Sequence, residues 1–178
     1  LRGSIPKLSS ISHLSNFKLS FPQIVVVGNQ SSGKSSVLDG LMGEDILPKG
    51  DSMVTRRPIE VNLVRDKSRW GRVDNGPVMN IADMQKQILH ENMDLDFTEV
   101  PLRIELHSPN VFDLNLIDLP GYVISTKEDQ DADLPKKIKS LCAKYLTDKQ
   151  NIILCVASAS ADPATSVAIG EAKRYDVN

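Results

Sequence analysis

Cysteine is scarce: only Cys142 and Cys155 occur in 178 residues, far apart and without CxxC or Cys/His spacing. A disulfide framework or a zinc ribbon therefore does not organise this chain, and both cysteines read as reduced, packed thiols. Long apolar runs are missing too, since none approaches the roughly 18 residues needed to cross a bilayer. Nor does one sign of charge dominate. With 21 basic and 23 acidic residues the formal charge is −2 and the sequence pI about 5.9, so nothing draws the chain over long range toward nucleic acid or anionic lipid. Nucleic acid is not an expected partner. His13, His90 and His107 share no metal-ligand spacing, and there are no repeats and no low-complexity tract.

What is present is the composition of a folded protein, 40% apolar and 25% charged, in a length that suits one domain of about 150 residues with a short flank. Residues 1–20, LRGSIPKLSSISHLSNFKLS, read as that flank: their apolar residues are irregularly spaced, and their charged face is too weak for a membrane-surface helix. The domain is expected over 21–178. Because the chain begins at Leu1 and stops at Asn178, it is read as a piece of a longer protein.

QIVVVG at 23–28 is a short, β-branched, continuous apolar run closed by glycine, as expected for a strand buried on both faces. VLDGLM at 37–42 has helical spacing. IEVNLV (59–64) and LRIEL (102–106) alternate like half-exposed strands, LNLID (114–118) reads as another, and NIILCVA (151–157) as a second fully buried one. Helices are expected over MNIADMQKQILHEN and over DLPKKIKSLCAKYLT, the latter capped by Asp133 with Pro135 just inside. DKSRWGRVDNGP, 66–77, has turn chemistry throughout and reads as a loop or an insertion, where Trp70 either pins the loop or marks a contact surface. Lys136, Lys137 and Lys139 read as a solvated helix face. Alternating strands and helices predict an α/β fold with a mostly parallel central sheet flanked by helices.

Three segments carry chemistry. Gly28-Asn29-Gln30-Ser31-Ser32-Gly33-Lys34-Ser35 is a complete G-x-x-x-x-G-K-[ST] loop between a buried strand and a helix. Its glycines permit a tight turn whose N–H groups converge on phosphate oxygens, Lys34 supplies a point charge, and the Ser35 hydroxyl is a Mg²⁺ ligand. Against this stands a chance match in a glycine-containing turn. Asp118-Leu119-Pro120-Gly121 closes a strand, where Asp118 can hold Mg²⁺ through water and Gly121 can offer its N–H to a γ-phosphate. Alone, this would be ordinary turn chemistry; beyond a phosphate loop it points to a GTPase rather than a generic ATPase. Between them, LPKGDSMVTRRP (47–58) presents Thr55 as a hydroxyl able to complete a Mg²⁺ shell when a γ-phosphate is present.

GNQSSGKSSVLDGLMG, LPKGDSMVTRRP and DLPGY together resemble the first three nucleotide motifs of the dynamin superfamily of membrane-remodelling GTPases, from about Phe21 to the chain end. Within it, KGDSMVTRRPIEVNLV, DLPGY and KIKSLCAKYLTDKQNIILCV look most like the mitochondrial inner-membrane dynamins. The resemblance implies an incomplete P-loop GTPase domain whose C-terminal part, with the base-reading motif, falls beyond Asn178. It implies GTP and Mg²⁺, bound by residues 28–36 (Ser36 included) with Gly50, Thr55, Asp118 and Gly121, the metal lying at Ser35, Thr55 and Asp118.

By the same resemblance Gln30 positions the attacking water, and Ser31 and Gly50 serve a K⁺ or Na⁺ that stands in for an arginine finger. Ser52 replaces the family's glycine at that cation site. Lys34, Thr55 and Gly121 join Gln30 and Ser31 as the catalytic set, and Arg56 and Arg57 brace the switch. The implied partners are a second GTPase domain, contacted through Ser158 to Ser166 with Asp162 at an acidic position and Val167 replacing another, then higher oligomers and a membrane through regions outside this chain. The implied place is the mitochondrial inner membrane facing the intermembrane space, or otherwise the cytoplasmic face of a membrane. The function expected is GTP hydrolysis driving inner-membrane fusion and cristae maintenance. Alternatives are a fission- or scission-type dynamin, a GTP-gated dimerisation module with little turnover, and a generic P-loop ATPase.

Overall fold

The structure is a computed structural model, and it describes residues 22–48, 55–93, 96–123 and 131–176. The 1–20 flank, Gly50 and Ser52 lie outside those residues. In chain order the elements are β1 (Ile24–Gly28), α1 (Lys34–Met42), β2 (Ile59–Arg65), β3 (Trp70–Val73), α2 (Ile81–Met93), β4 (Leu102–Ser108), β5 (Leu114–Asp118), α3 (Leu134–Leu146), β6 (Ile152–Val156) and α4 (Val167–Tyr175), with a 3₁₀ turn at Pro163–Thr165.

The strands form one six-stranded sheet in the order β3-β4-β2-β5-β1-β6. Three of its five neighbouring pairs are parallel, β1 with β5, β1 with β6 and β2 with β4, while β2/β5 and β3/β4 are antiparallel. The expected α/β architecture with a mostly parallel sheet is therefore present.

Register decides what meets at the sheet's end. Val26 lies opposite Asp118 in the parallel β1/β5 pair, so the loops leaving both strands emerge on one side. Because β2 runs antiparallel to β5 and pairs Ile59 with Asp118, the residues that precede β2 arrive at that same side. β6 joins them, with Val156 opposite Gly28.

Two cores sandwich the sheet. Val26, Val61, Ile104 and Leu116 pack with Leu38 and Met42 of α1 and Met84 and Ile88 of α2, while Val25, Val27 and Ile117 pack on the other face with Ile138 and Cys142 of α3 and Ala168 of α4. That is why β1 is continuously apolar: Val25, Val26 and Val27 are all fully buried, each contributing roughly 1.5–3 kcal/mol. On β2 and β4 only alternate residues enter a core. Their other face is polar, with Glu60, Asn62, Arg103 and Glu105 around an open groove.

Two expectations fail here. Residues 66–77 are not all loop, because Trp70–Val73 forms edge strand β3 against β4. Only Gly71 and Val73 point inward in this short strand, so its alternation is hidden among turn residues. Gly71 is needed there: a Cβ would lie 2.3 Å from Met84 Sδ and 3.0 Å from the Glu105 carbonyl. The expected turn follows directly, for Asp74 sits at φ 49° and the Gly76 N–H donates to Val73 O over 2.9 Å. Nor is β6 buried on both faces. Among the described residues it pairs only with β1, Ile152 is 59% exposed, and Ile153, Leu154 and Cys155 are half-buried.

Both expected helices form. In α2 the Asn80 carboxamide accepts from the Asp83 N–H at 2.9 Å, and the buried stripe is Met84 and Ile88. α3 starts at Leu134 with Pro135 in its first turn, but the Asp133 side chain makes no cap bond; it pairs with Lys136 Nζ at 3.0 Å instead. Lys136, Lys137 and Lys139 are solvated and ion-paired. Both cysteines are free thiols, with Cys142 buried and Cys155 half-buried.

Candidate functional site

The G-x-x-x-x-G-K-S loop turns as its residue types require. Ser31 has φ 59° and Gly33 φ 90°, left-handed conformations that rotate successive N–H groups toward one side. Gly33 leads into α1, which begins at Lys34 and aims its positive dipole end at the same space. Gly28 is demanded by close approach, since a Cβ would lie 2.4 Å from Ser32 Oγ and 2.6 Å from Val156 O. Lys34 is 8% exposed, Ser35 and Asn29 are half-buried, and Gln30, Ser31 and Ser36 face solvent. The Ser32 hydroxyl is buried without a hydrogen-bond partner.

DLPGY lies directly against this loop. The Tyr122 N–H donates to Gly28 O at 3.0 Å and the Gln30 N–H to Tyr122 O at 2.9 Å, so the strand β1 ladder is extended around Asn29. Gly121 fills the remaining gap. A Cβ on it would stand 2.9 Å from Gln30 Cα and 3.1 Å from Lys34 Nζ, which explains the glycine sterically.

Asp118 is fully buried. Burial pushes its carboxyl up to about 6, against the nearby Lys34 charge and the Thr55 hydroxyl, with Asp39 adding to the rise. Thr55, 6% exposed, donates to Asp118 Oδ2 at 3.3 Å; Asp118 Oδ1 has no hydrogen-bond partner. A buried carboxylate oxygen and a buried serine hydroxyl, both unsatisfied beside a shielded lysine, fit a charged, cation-bearing ligand better than an empty core. Among the described residues no group of three or more His, Cys, Asp or Glu side chains could hold a metal, so an ion here would draw on hydroxyls, one carboxylate and its ligand's own oxygens.

The segment carrying Thr55 is tied to the start of β4. Arg57 Nε donates to Val100 O at 2.9 Å and its terminal nitrogen to Pro101 O at 3.2 Å, while the Thr98 N–H donates to Arg56 O at 3.1 Å. Arg57 thus ties this segment to the chain entering β4. Asp162 is engaged locally, accepting from the Ala164 N–H at 2.9 Å, within an exposed 157–165 stretch.

One contributor was not expected, and one expected residue has a further role. Asp39 Oδ1 accepts from Ile46 and Leu47 N–H at 3.1 and 3.2 Å, closing the chain after α1. Asn29 Oδ1 accepts from the Ala168 N–H at 3.1 Å, linking the phosphate loop to α4. A carboxylate midway along an apolar-periodic helix is a signal for the first; no local signal exists for the second.

The comparisons with known proteins agree with this geometry. The chain is 42% identical over 168 residues to the mitochondrial dynamin-like GTPase MGM1 of Chaetomium thermophilum, covering 89% of this chain and 18% of that protein. It is 42% identical over 172 residues to the mitochondrial dynamin-like GTPase msp1 of Schizosaccharomyces pombe, covering 90% and 19% respectively. Against the Dynamin-1-like protein of Danio rerio it is 35% identical over 181 residues, covering 89% and 26%. The chain thus spans about a fifth to a quarter of these relatives' length. Since the profile of the dynamin family also matches residues 24–178, covering every element described above, the chain belongs to the dynamin family.

Proposed function

We propose that this chain binds GTP in the 28–36 loop and hydrolyses it. The observation that carries the reading is the meeting of a left-handed, N–H-rich loop and buried Lys34 with the unsatisfied Asp118 carboxylate and Gly121 at one sheet end. Loop N–H groups and the Lys34 ammonium take the phosphates. Gly121 offers its N–H to the terminal phosphate from the segment already hydrogen-bonded to Gly28 and Gln30. Gln30, exposed at the loop tip, orients the attacking water, and Ser31 with Gly50 serves a K⁺ or Na⁺. Ser35, Thr55 and Asp118 hold Mg²⁺, which when bound neutralises phosphate charge that builds in the transition state. Ionised Asp118 is costly without a cation, so the site favours its occupied form.

Identity of 42% to relatives named mitochondrial dynamin-like GTPases, against 35% to a Dynamin-1-like protein, supports placing the protein at the mitochondrial inner membrane, with turnover driving fusion and cristae maintenance. Two GTPase domains meet through the 158–166 stretch, and higher oligomers and membrane contact arise outside this chain. Phosphate release with GTP and ATP in turn, in potassium and in a bulky organic cation, over a range of protein concentrations, tests the reading. GTP-selective, potassium-dependent turnover that rises more than linearly with concentration is expected; turnover indifferent to base, cation and concentration would overturn it.

A further inference from the structure

The connection between β6 and α4 is pinned at both ends by adjacent residues of the phosphate loop. At its start, Val156 pairs with Gly28, and its carbonyl comes within 2.6 Å of where a Gly28 Cβ would be. At its end, the Ala168 N–H in the first turn of α4 donates to Asn29 Oδ1 across 139 residues of sequence. The helix has a cap of its own, for Ser166 Oγ accepts from the Ile169 N–H at 3.3 Å. Asn29 is thus a second acceptor supplied from elsewhere, satisfying another of the open N–H groups of that turn. Between the two pins residues 157–165 are exposed and held by their own short-range bonds, the Ser158 and Ser160 hydroxyls at 2.8 Å and the Asp162 cap on Ala164.

Asn29 is itself fixed from the other side. The Tyr122 N–H to Gly28 O bond and the Gln30 N–H to Tyr122 O bond flank it, so its backbone cannot move independently of the segment containing Gly121. A displacement of that segment would reach the Asn29 carboxamide and, through its one hydrogen bond, α4. We infer that Asn29 is a positioning residue, coupling the occupancy of the phosphate loop to the first turn of α4 and so to the placement of the exposed 157–165 connection. The inference rests on the nucleotide-binding reading above.

The test is amide hydrogen exchange over 166–170 in the intact chain, with and without a saturating non-hydrolysable GTP analogue and Mg²⁺, together with analogue affinity by fluorescence. In the parent, the analogue is expected to slow exchange there by about fivefold, the factor of one ordinary hydrogen bond. Asn29→Ala, compared at analogue concentrations that saturate it whatever its affinity, is expected to lose that difference, and Asn29→Asp, which keeps the acceptor, to retain it. Ser166→Ala removes the helix's own cap but leaves the tie to the loop. It is expected to exchange faster in both states while keeping the nucleotide-dependent difference, which a merely structural cap at Asn29 would not predict. The inference is overturned if Asn29→Ala keeps the difference, if Ser166→Ala abolishes it equally, or if Asn29→Ala no longer binds, which would make Asn29 a direct phosphate contact. It is overturned together with the nucleotide reading if the parent does not bind the analogue, an outcome the affinity measurement identifies separately.

Discussion

The Thr55 hydroxyl donates to Asp118 Oδ2 across 3.3 Å although the two residues are 63 positions apart. The antiparallel pairing of Ile59 with Asp118 makes the meeting unavoidable, because it delivers the four residues before β2 to the C-terminal end of β5. One carboxylate oxygen is thereby satisfied and the other left without a partner.

Asp118 should make the protein free of nucleotide and Mg²⁺ sensitive to pH. Its carboxyl lies near 6 in the fold against 3.8 ordinarily, so the folded state penalises the ionised form; stability is lost as pH rises through about 6 and recovered below 3.8. At pH 7, Asp118→Asn should stabilise the protein free of nucleotide and Mg²⁺ by up to about 3 kcal/mol, with that advantage shrinking as pH falls toward 4. The same variant should weaken Mg²⁺-dependent nucleotide binding. Thermal melts of parent and variant from pH 7 to 4 check this, and a gap that ignores pH counts against it.

Gly121→Ala should act by crowding. Its methyl would sit 2.9 Å from Gln30 Cα and 3.0 Å from Gln30 N, backbone atoms that move only if the loop moves. A loss of about 1–3 kcal/mol is expected, with weaker nucleotide binding, by melting and titration respectively. An unshifted midpoint would show that the loop yields freely.

Asp39→Ala removes the acceptor for two amides, Ile46 and Leu47, both in buried residues. About 2 kcal/mol should be lost, seen in the denaturant midpoint. The Asn variant, which keeps a carbonyl oxygen, should recover most of it.

His107 joins two carboxylates, Nδ1 to Asp66 Oδ2 at 3.2 Å and Nε2 to Glu105 Oε1 at 2.7 Å, while Trp70 stacks on its ring at 3.7 Å. A Ser68 N–H bond and then His107 hold Asp66 below its ordinary value. Burial works against ionised Glu105, yet bonds from His107 and Arg72 outweigh it and hold that carboxyl down too. Depressed carboxyls stabilise the fold at neutral pH and lose that contribution on acidification, so His107→Ala should begin acid unfolding at a higher pH. Since Trp70 is the sole tryptophan, its emission should change in the same variant, and a fluorescence-monitored pH titration reads both effects.

Much of this fold was legible because its signals are local. The phosphate loop, β5 and its DLPG end, and both amphipathic helices are written in contiguous runs whose periodicity reports burial directly. The proposed site residues 28–36, 118 and 121 follow from the same short motifs. β3 was not legible, since four residues beside a turn carry too little alternation to separate strand from loop. The exposure of β6 was not legible either, because a buried and an edge strand of the same apolar composition differ only in how many neighbours flank them.

By itself, the sequence determined the secondary structure around the loop, the left-handed turn that its glycines permit and the identity of the groups proposed to face phosphate. Those follow from backbone sterics and side-chain chemistry within a few residues. Only the tertiary structure decided that Thr55 meets Asp118, that Gly121 has no room for a methyl group, and that Asn29 caps a helix 139 residues away. Each depends on strand register and sheet order, which are set by the packing of the whole core and by no stretch of sequence alone.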